Sequence, residues 1–568
     1  MPISQRRVVI LPALLLAAFA VARPHGASRD PVRARHGMVG STDEHASRAG
    51  LEILRAGGNA VDAAVAVGFA LAVTHPAAGN LGGGGFMLIR LADGRQTAID
   101  YRETAPARAY RDMFLDEAGN VVEDRSQVGA LAAGVPGSVA GMAFAQRRYG
   151  RLPLAVVLAP AIALARDGFE VSWALSESLD EARPLLTKFP ASARAFLKPD
   201  GTAPQPGDRL VQADLARTLS LISDDGPAAF YQGPIADLIA VEMSRSGGFI
   251  SKADLSAYTP RERTPVTGTY RGHQIVSMPP PSSGGIALVQ LLNILEAYPM
   301  AEYGHNSSRS IHLVAEAARR VYADRSEWLG DADFFDVPVT GLLSKDYASE
   351  LRRGISETRA TPSVEVKPGT PRRFEHSETT HFSVIDADGN AVATTTTLNG
   401  SFGNGQVVPG AGFLLNNEMD DFSAKPGVPN MFGLLGGEAN AIVPGKRMLS
   451  SMAPTIVLEN GRTRLIVGSP GGSRIITTVL QVIMNVVDFD MDVQEAVDAP
   501  RFHHQWQPDE IRIEEQGFPV DVVTALSAMG HATQVRPDMG DVHAIMIDES
   551  GLRLGASDPR MDGRTLGY

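Results

Sequence analysis

The 568-residue chain contains no cysteine, which excludes disulfides, thiolate metal sites, a cysteine nucleophile and a lipoprotein anchor. It has no G-x-S-x-G nucleophile elbow and no H-E-x-x-H metal motif, and His503 and His504 are adjacent, so they point apart on any regular element. No Lys/Arg block offsets the formal net charge of −12, which argues against non-specific nucleic-acid binding. Beyond the N-terminus no apolar run approaches the length of a membrane span, and no segment repeats.

What remains is a globular composition, 44% hydrophobic and 20% charged, with material for a large core. Residues 1–22 read as a signal peptide: Arg6 and Arg7, an apolar run over residues 8–22 that includes Pro12, and an Ala20-Val21-Ala22 cleavage site. The mature chain is therefore expected from Arg23 onward, periplasmic or secreted, with no membrane anchor after signal removal.

Local signals divide the chain into helical blocks and hairpin pairs. Ser41-Thr42-Asp43-Glu44 predicts a capping box for a helix that ends at Gly57-Gly58, and Asn59 caps a second helix over residues 60–73, apolar nearly all round and hence buried. The Gly-rich run of residues 79–85 lacks a following Lys-Ser/Thr and enters a strand, so close backbone packing is expected there, not a phosphate loop. Residues 136–222 read as helical and 251–276 as strand and loop; helices are expected to follow Pro279-Pro280-Pro281-Ser282-Ser283-Gly284-Gly285 and to cover residues 310–329. Two stacked antiparallel sheets covered by helices fit this alternation better than a doubly wound parallel sheet.

The chemistry centres on residues 376–383. Residues 361–373, rich in Pro and charge, read as an exposed, unpaired linker; residues 380–385 and 391–398 read as strands joined by the turn Asp386-Ala387-Asp388-Gly389-Asn390. That turn resembles a calcium loop superficially, but Ala391 and Thr397 stand where the turn glycine and bidentate glutamate belong. A linker running into a hydroxylated strand suits an N-terminal nucleophile: cleavage before Thr379 would give its hydroxyl a free α-amine as a nearby base. The plainer reading makes Thr379 a strand-entry threonine. Arg102, at a strand end beside the glycines, is a candidate carboxylate clamp. Gly471 and Gly472, just before an apolar helix over residues 474–487, offer backbone N–H groups to an oxyanion. An acidic cluster follows Leu414-Leu415, and residues 426–437 form a glycine-flanked loop with an aromatic tip. An exported binding protein without catalysis would account for Arg102 and Asp421, but not for the junction at Thr379.

The chain resembles the γ-glutamyltransferases (γ-glutamyl transpeptidases) of the N-terminal nucleophile hydrolases. The resemblance covers residues 37–568 and rests on collinear motifs: Gly57-Gly58-Asn59-Ala60-Val61-Asp62-Ala63-Ala64, residues 82–87, Asp100-Tyr101-Arg102-Glu103, residues 280–285, Thr379-Thr380-His381, residues 415–423, residues 468–474 and Gly555-Ala556-Ser557-Asp558-Pro559-Arg560. It implies an α+β fold, a four-layer αββα sandwich. It also implies a precursor that cleaves itself between Glu378 and Thr379 into a large subunit (residues 23–378) and a small one (residues 379–568). Thr379 would attack the γ-amide of glutathione or its conjugates, with Thr397 near its hydroxyl and Gly471 and Gly472 at the oxyanion; water or an amine acceptor would resolve the acyl-enzyme. Arg102, Ser450 and Ser451 would hold the α-carboxylate, and Asn399, Glu418 and Asp421 the α-ammonium; no metal or organic cofactor is implied. Position 418 is Glu where some members carry Gln, and Phe432 occupies the lid position of a Tyr in several bacterial members, so a more open pocket with altered acceptor preference is expected. A related acylase acting on glutaryl-type or β-lactam side chains is the alternative within the enzyme class.

Overall fold

A computed structural model describes residues 28–371, 383–537 and 539–568. Residues 1–22, expected to be a signal peptide, and Glu378 and Thr379 lie outside the described residues.

Two seven-stranded sheets form the centre. One runs in the order Val32–Ala34, Arg553–Ser557, His543–Ile547, Arg462–Val467, Thr455–Glu459, His273–Ser277, Val266–Tyr270. The other runs Arg564–Gly567, Met38–Ser41, Ser383–Ile385, Ala391–Thr397, Gly84–Arg90, Gln96–Asp100, Arg261–Arg263. Every neighbouring pair in both is antiparallel. Side chains alternate across a strand, and Gly84–Arg90 uses both faces. Phe86 and Leu88 join Ile456 and Ile466 of the opposite sheet in one core, whereas Met87 and Ile89 join the helices Glu44–Arg55, Ala60–Thr74 and Ser138–Tyr149 in another. Gly284–Leu295 and Ile475–Val487 pack on the outer face of the first sheet, and Ser308–Trp328 packs against Gly284–Leu295. The expected αββα sandwich is thus present, and all of Ala60–Thr74 is buried.

The turn at Asp386 is a hairpin turn. Its Oδ1 accepts the backbone N–H of Asp388, Gly389 and Asn390, each at 3.0 Å. Its Oδ2 accepts the Ala60 N–H at 3.0 Å, so the same carboxylate closes the turn and meets the positive end of the buried helix. The glycine run serves close approach, as expected. A Cβ would lie 2.1 Å from Leu71 O at Gly79, from Leu414 O at Gly82 and from Thr397 O at Gly83.

Three expectations are corrected. The cap of Glu44–Arg55 is Asp43, which accepts the Ala46 N–H, while Ser41 belongs to the strand before it. Lys252–Ala257 is a helix with its own capping box from Ser251 and Asp254, inside a stretch expected to hold strand and loop. The described part of the expected free linker is docked, because the helix Ser308–Trp328 presents carboxylates to its backbone. Glu316 takes the Thr361 N–H and hydroxyl at 2.9 and 2.7 Å, and Asp324 takes the Gly369 N–H at 2.7 Å. Proline and charge content reveal local conformation, not which distant element waits for the backbone groups left unpaired.

Candidate active site

A cleft of about 310 Å³ opens where the ends of several strands meet the loops that follow them. Arg102, Thr397, Asn399, Glu418, Asp421, Phe432, Ser450, Ser451, Gly471 and Gly472 all line it, although more than 350 residues of chain separate the first from the last. Of the expected site residues, only Glu378 and Thr379 are not among them, since both lie outside the described residues. Thr379 stands four positions before Ser383, a reach of at most about 14 Å. Ser383 pairs with Ala393, on the strand whose last residue is the cleft-lining Thr397.

Arg102 follows the strand Gln96–Asp100 and is 1% exposed. Its Nη1 donates to Glu418 Oε1 and its Nη2 to Asp421 Oδ2 at 2.5 Å, while Nε reaches Met448 O at 3.3 Å. Burial alone would ease proton loss from the guanidinium, but Glu418, Asp421 and Glu103 outweigh it and hold the cation. Burial pushes the Asp421 carboxyl up to about 6 against the pull of Arg102. The cation and the acids expected to hold opposite ends of one ligand therefore already touch one another. The pocket offers both signs of charge within one ligand's length.

Asn399 adopts φ +76°, a left-handed conformation that asparagine tolerates better than most side chains. Its N–H donates to Thr397 Oγ1 at 2.8 Å and its Nδ2 to Asn417 O at 3.1 Å, so the turn after the strand aims both residues at the cleft. The Thr396 hydroxyl is engaged by the backbone, donating to Gly84 O at 2.9 Å.

The pair Ser450 and Ser451 is held from beneath by the Pro280–Gly285 region of the chain. Ser283 donates both N–H and hydroxyl to Ser450 O, at 2.8 and 2.7 Å, and a Cβ at Gly284 would lie 2.4 Å from Met452 O. That close approach explains the first of the motif's two glycines. Buried Arg325 then bridges the layers, its Nε donating to Ser283 Oγ at 2.9 Å and its Nη2 to Ser451 Oγ at 3.1 Å. Sequence reasoning missed Arg325, since one arginine on an amphipathic helix carries no signal of its own.

At the other wall Gly471 (φ +133°) and Gly472 (φ +59°) turn the chain into Ile475–Val487. The Phe432 ring rests on Gly472: a Cβ there would lie 2.5 Å from its Cδ1. The lid tip thus covers this wall without a phenolic hydroxyl. Asn430 was also missed. Its Oδ1 accepts the N–H groups of Phe432 and Leu434, and its Nδ2 donates to Asp421 Oδ1, all at 3.1 Å. Asp420 takes the Met431 N–H at 3.0 Å. The acidic cluster therefore stitches down the lid as well as facing the cleft.

The αββα sandwich, with such a cleft at the ends of its strands, has the architecture of an N-terminal nucleophile hydrolase. Known proteins narrow the class. The Gamma-glutamyltranspeptidase family profile matches residues 46–568. The chain is 52% identical to the glutathione hydrolase proenzyme of Escherichia coli (strain K12), over the full length of both. It superposes on the crystal structure of cephalosporin acylase from Bacillus halodurans with a TM-score of 0.85 at 30% identity, covering 99% of each chain. With Helicobacter pylori gamma-glutamyltranspeptidase the TM-score is 0.57 at 49% identity, over 58% of this chain and 94% of that one. The chain belongs to the γ-glutamyltranspeptidase family.

Proposed function

We propose that the chain is a self-processing γ-glutamyltransferase and glutathione hydrolase. The observation that carries the reading is the juxtaposition of Arg102, Asp421, Ser450 and Ser451 with Thr397, Gly471 and Gly472 in one cleft. A zwitterionic glutamyl end needs partners of both signs, and its γ-carbonyl needs a nucleophile and oxyanion donors a few ångströms away.

In the precursor the Thr379 hydroxyl attacks the Glu378 carbonyl, the peptide nitrogen leaves as the α-amine of Thr379, and water hydrolyses the resulting ester. The products are a large subunit, residues 23–378, and a small one, residues 379–568, of roughly 38 and 20 kDa. In the mature enzyme Thr379 Oγ attacks the γ-amide carbon, and its proton passes by way of the free α-amine to the leaving amine. Gly471 and Gly472 N–H groups carry the oxyanion while Thr397 steadies the attacking hydroxyl. Arg102, Ser450 and Ser451 hold the α-carboxylate, and Asn399, Glu418 and Asp421 receive the α-ammonium. Water then releases glutamate, or an amino acid or peptide amine takes the acyl group, with Phe432 on the lid influencing which acceptor enters. Among the described residues no helix is long and apolar enough to cross a membrane. Export with loss of residues 1–22, to the periplasm or medium, completes the proposal.

Denaturing electrophoresis tests it directly. Two bands should replace the 60.3 kDa precursor, and Thr379→Ala should stay uncut and inactive. A wild-type chain that remains whole yet turns over a γ-glutamyl donor sinks the mechanism. A glutaryl-type donor is the useful comparison, since it lacks the ammonium that Asn399, Glu418 and Asp421 are suited to receive.

A further inference from the structure

Beneath the cleft lies an acid that the reading above does not use. Glu103 follows Arg102 and is 0% exposed. Neither of its carboxyl oxygens, nor Glu418 Oε2, has a hydrogen-bond donor among the described residues. The Glu103 and Glu418 carboxyls lie within hydrogen-bond reach of each other. Arg102 Nη1 lies 3.9 Å from Glu103 Oε2 and is already engaged by Glu418 Oε1. Backbone closes over the other side: a Cβ at Gly84 would lie 2.4 Å from Glu103 Oε2.

We propose that Glu103 and Glu418 share one proton between their facing carboxyl oxygens, and that this proton matches the pocket to zwitterionic γ-glutamyl donors over des-amino ones. The inference rests on the donor site assigned above. Two buried carboxylates side by side repel and lack solvation, whereas one proton converts them into a charge-assisted O–H···O bond that satisfies the orphaned oxygens. Burial acts in the same direction, raising the Glu103 carboxyl to about 7 and holding that of Glu418 well above the ordinary carboxylate range, with Arg102 opposing. The pair titrates as a unit.

The surrounding charges give the proton its consequence. Arg102 comes from the strand end, Arg325 from Ser308–Trp328 and Asp421 from the acidic turn, with Asp420 beside it. Tyr101, Tyr231 and Tyr258 face Glu103 as neutral phenols, each held above its ordinary range chiefly by burial. With one proton on the pair, Arg102, Arg325 and the cleft-lining Arg474 balance Asp420, Asp421 and the pair's single negative charge. A zwitterion leaves that balance undisturbed, whereas a glutaryl group adds an unmatched carboxylate. A second proton at low pH makes the pocket receptive to the glutaryl group, and loss of the shared proton makes it repellent.

The test has an arm that reads the proton without turnover. The infrared difference spectrum between the parent and E418Q at neutral pH should contain the band of a protonated carboxyl, and the same band should appear between uncut Thr379→Ala and its E418Q derivative. Kinetics on γ-glutamyl and glutaryl anilides from pH 5.5 to 8.5 supply the other arm. The glutaryl to γ-glutamyl ratio of kcat/KM should fall by about tenfold with rising pH, one charge a few ångströms away being sufficient; in E418Q the change should shrink below about threefold. Absence of the carboxyl band overturns the shared proton, and a flat ratio in the parent overturns its role in selectivity. Turnover of neither donor with the band intact refutes the γ-glutamyl reading separately.

Discussion

Replacing Asn430 with Ala should loosen the lid and weaken donor binding while sparing the chemical step. The side chain accepts two backbone N–H groups inside the loop and donates one bond to the Asp421 carboxylate, all at 3.1 Å. Neutral bonds of this kind are worth about 1 kcal/mol each, and a bond to a charged group about 1.5–3 kcal/mol. The site is half-buried, so water replaces part of the loss, and about 1.5–2 kcal/mol remains against the ordered loop. If donor binding needs that loop in place, KM rises by about ten- to thirtyfold. The change in kcat should stay within about threefold, because Thr397, Gly471 and Gly472 stand on other elements. Steady-state kinetics on a γ-glutamyl anilide reads both constants. Asn430→Asp sharpens the test, since it keeps both accepted N–H bonds but sets a second carboxylate against Asp421. Its KM should recover as pH falls toward 6, the region to which burial raises the Asp421 carboxyl. An unchanged KM in Asn430→Ala, or a fall confined to kcat, refutes the idea that this side chain ties the lid to the donor site.

Gly83→Ala forces a Cβ to within 2.1 Å of Thr397 O, and backbone there cannot yield without moving Thr397. Activity should fall by more than about tenfold and stability by about 1–3 kcal/mol; a variant with the parent's kcat and melting temperature would show that the strand end has slack. Asp324 is buried against the Gly369 N–H, Gln290 and the Tyr347 hydroxyl, and burial raises its carboxyl from 3.8 to about 6. Between those values the folded chain keeps a proton that the unfolded chain has released, so stability from this group falls as pH rises through about 4 to 6, by roughly 3 kcal/mol at most. Asp324→Asn should flatten that slope in urea midpoints taken at pH 4.5 and 7, and an unaltered difference would contradict the assignment.

Much of the fold was legible because its signals are local. The Asn59 cap, the uniformly apolar helix after it and the turn at Asp386 each follow from residues a few positions apart. The ten described site residues were legible by resemblance to a family, and the cleft gathers all of them. Lys252–Ala257 went unread because one turn of helix inside a strand-like stretch has little periodicity to offer. The docked segment from Thr361 to Gly369 was misread because its partners, Glu316 and Asp324, belong to another element.

The sequence by itself determined most of the elements and the kinds of side chain available, since backbone preference and chemical type are properties of short stretches. Only the tertiary structure decided that Arg102 meets Glu418 and Asp421, that Arg325 reaches under Ser451, and that Asn430 fastens the lid to an acid of the cleft. Glu103 makes the difference plain. In the sequence it is one more acid beside Arg102, and only the fold buries it against a second carboxyl with no donor to either oxygen.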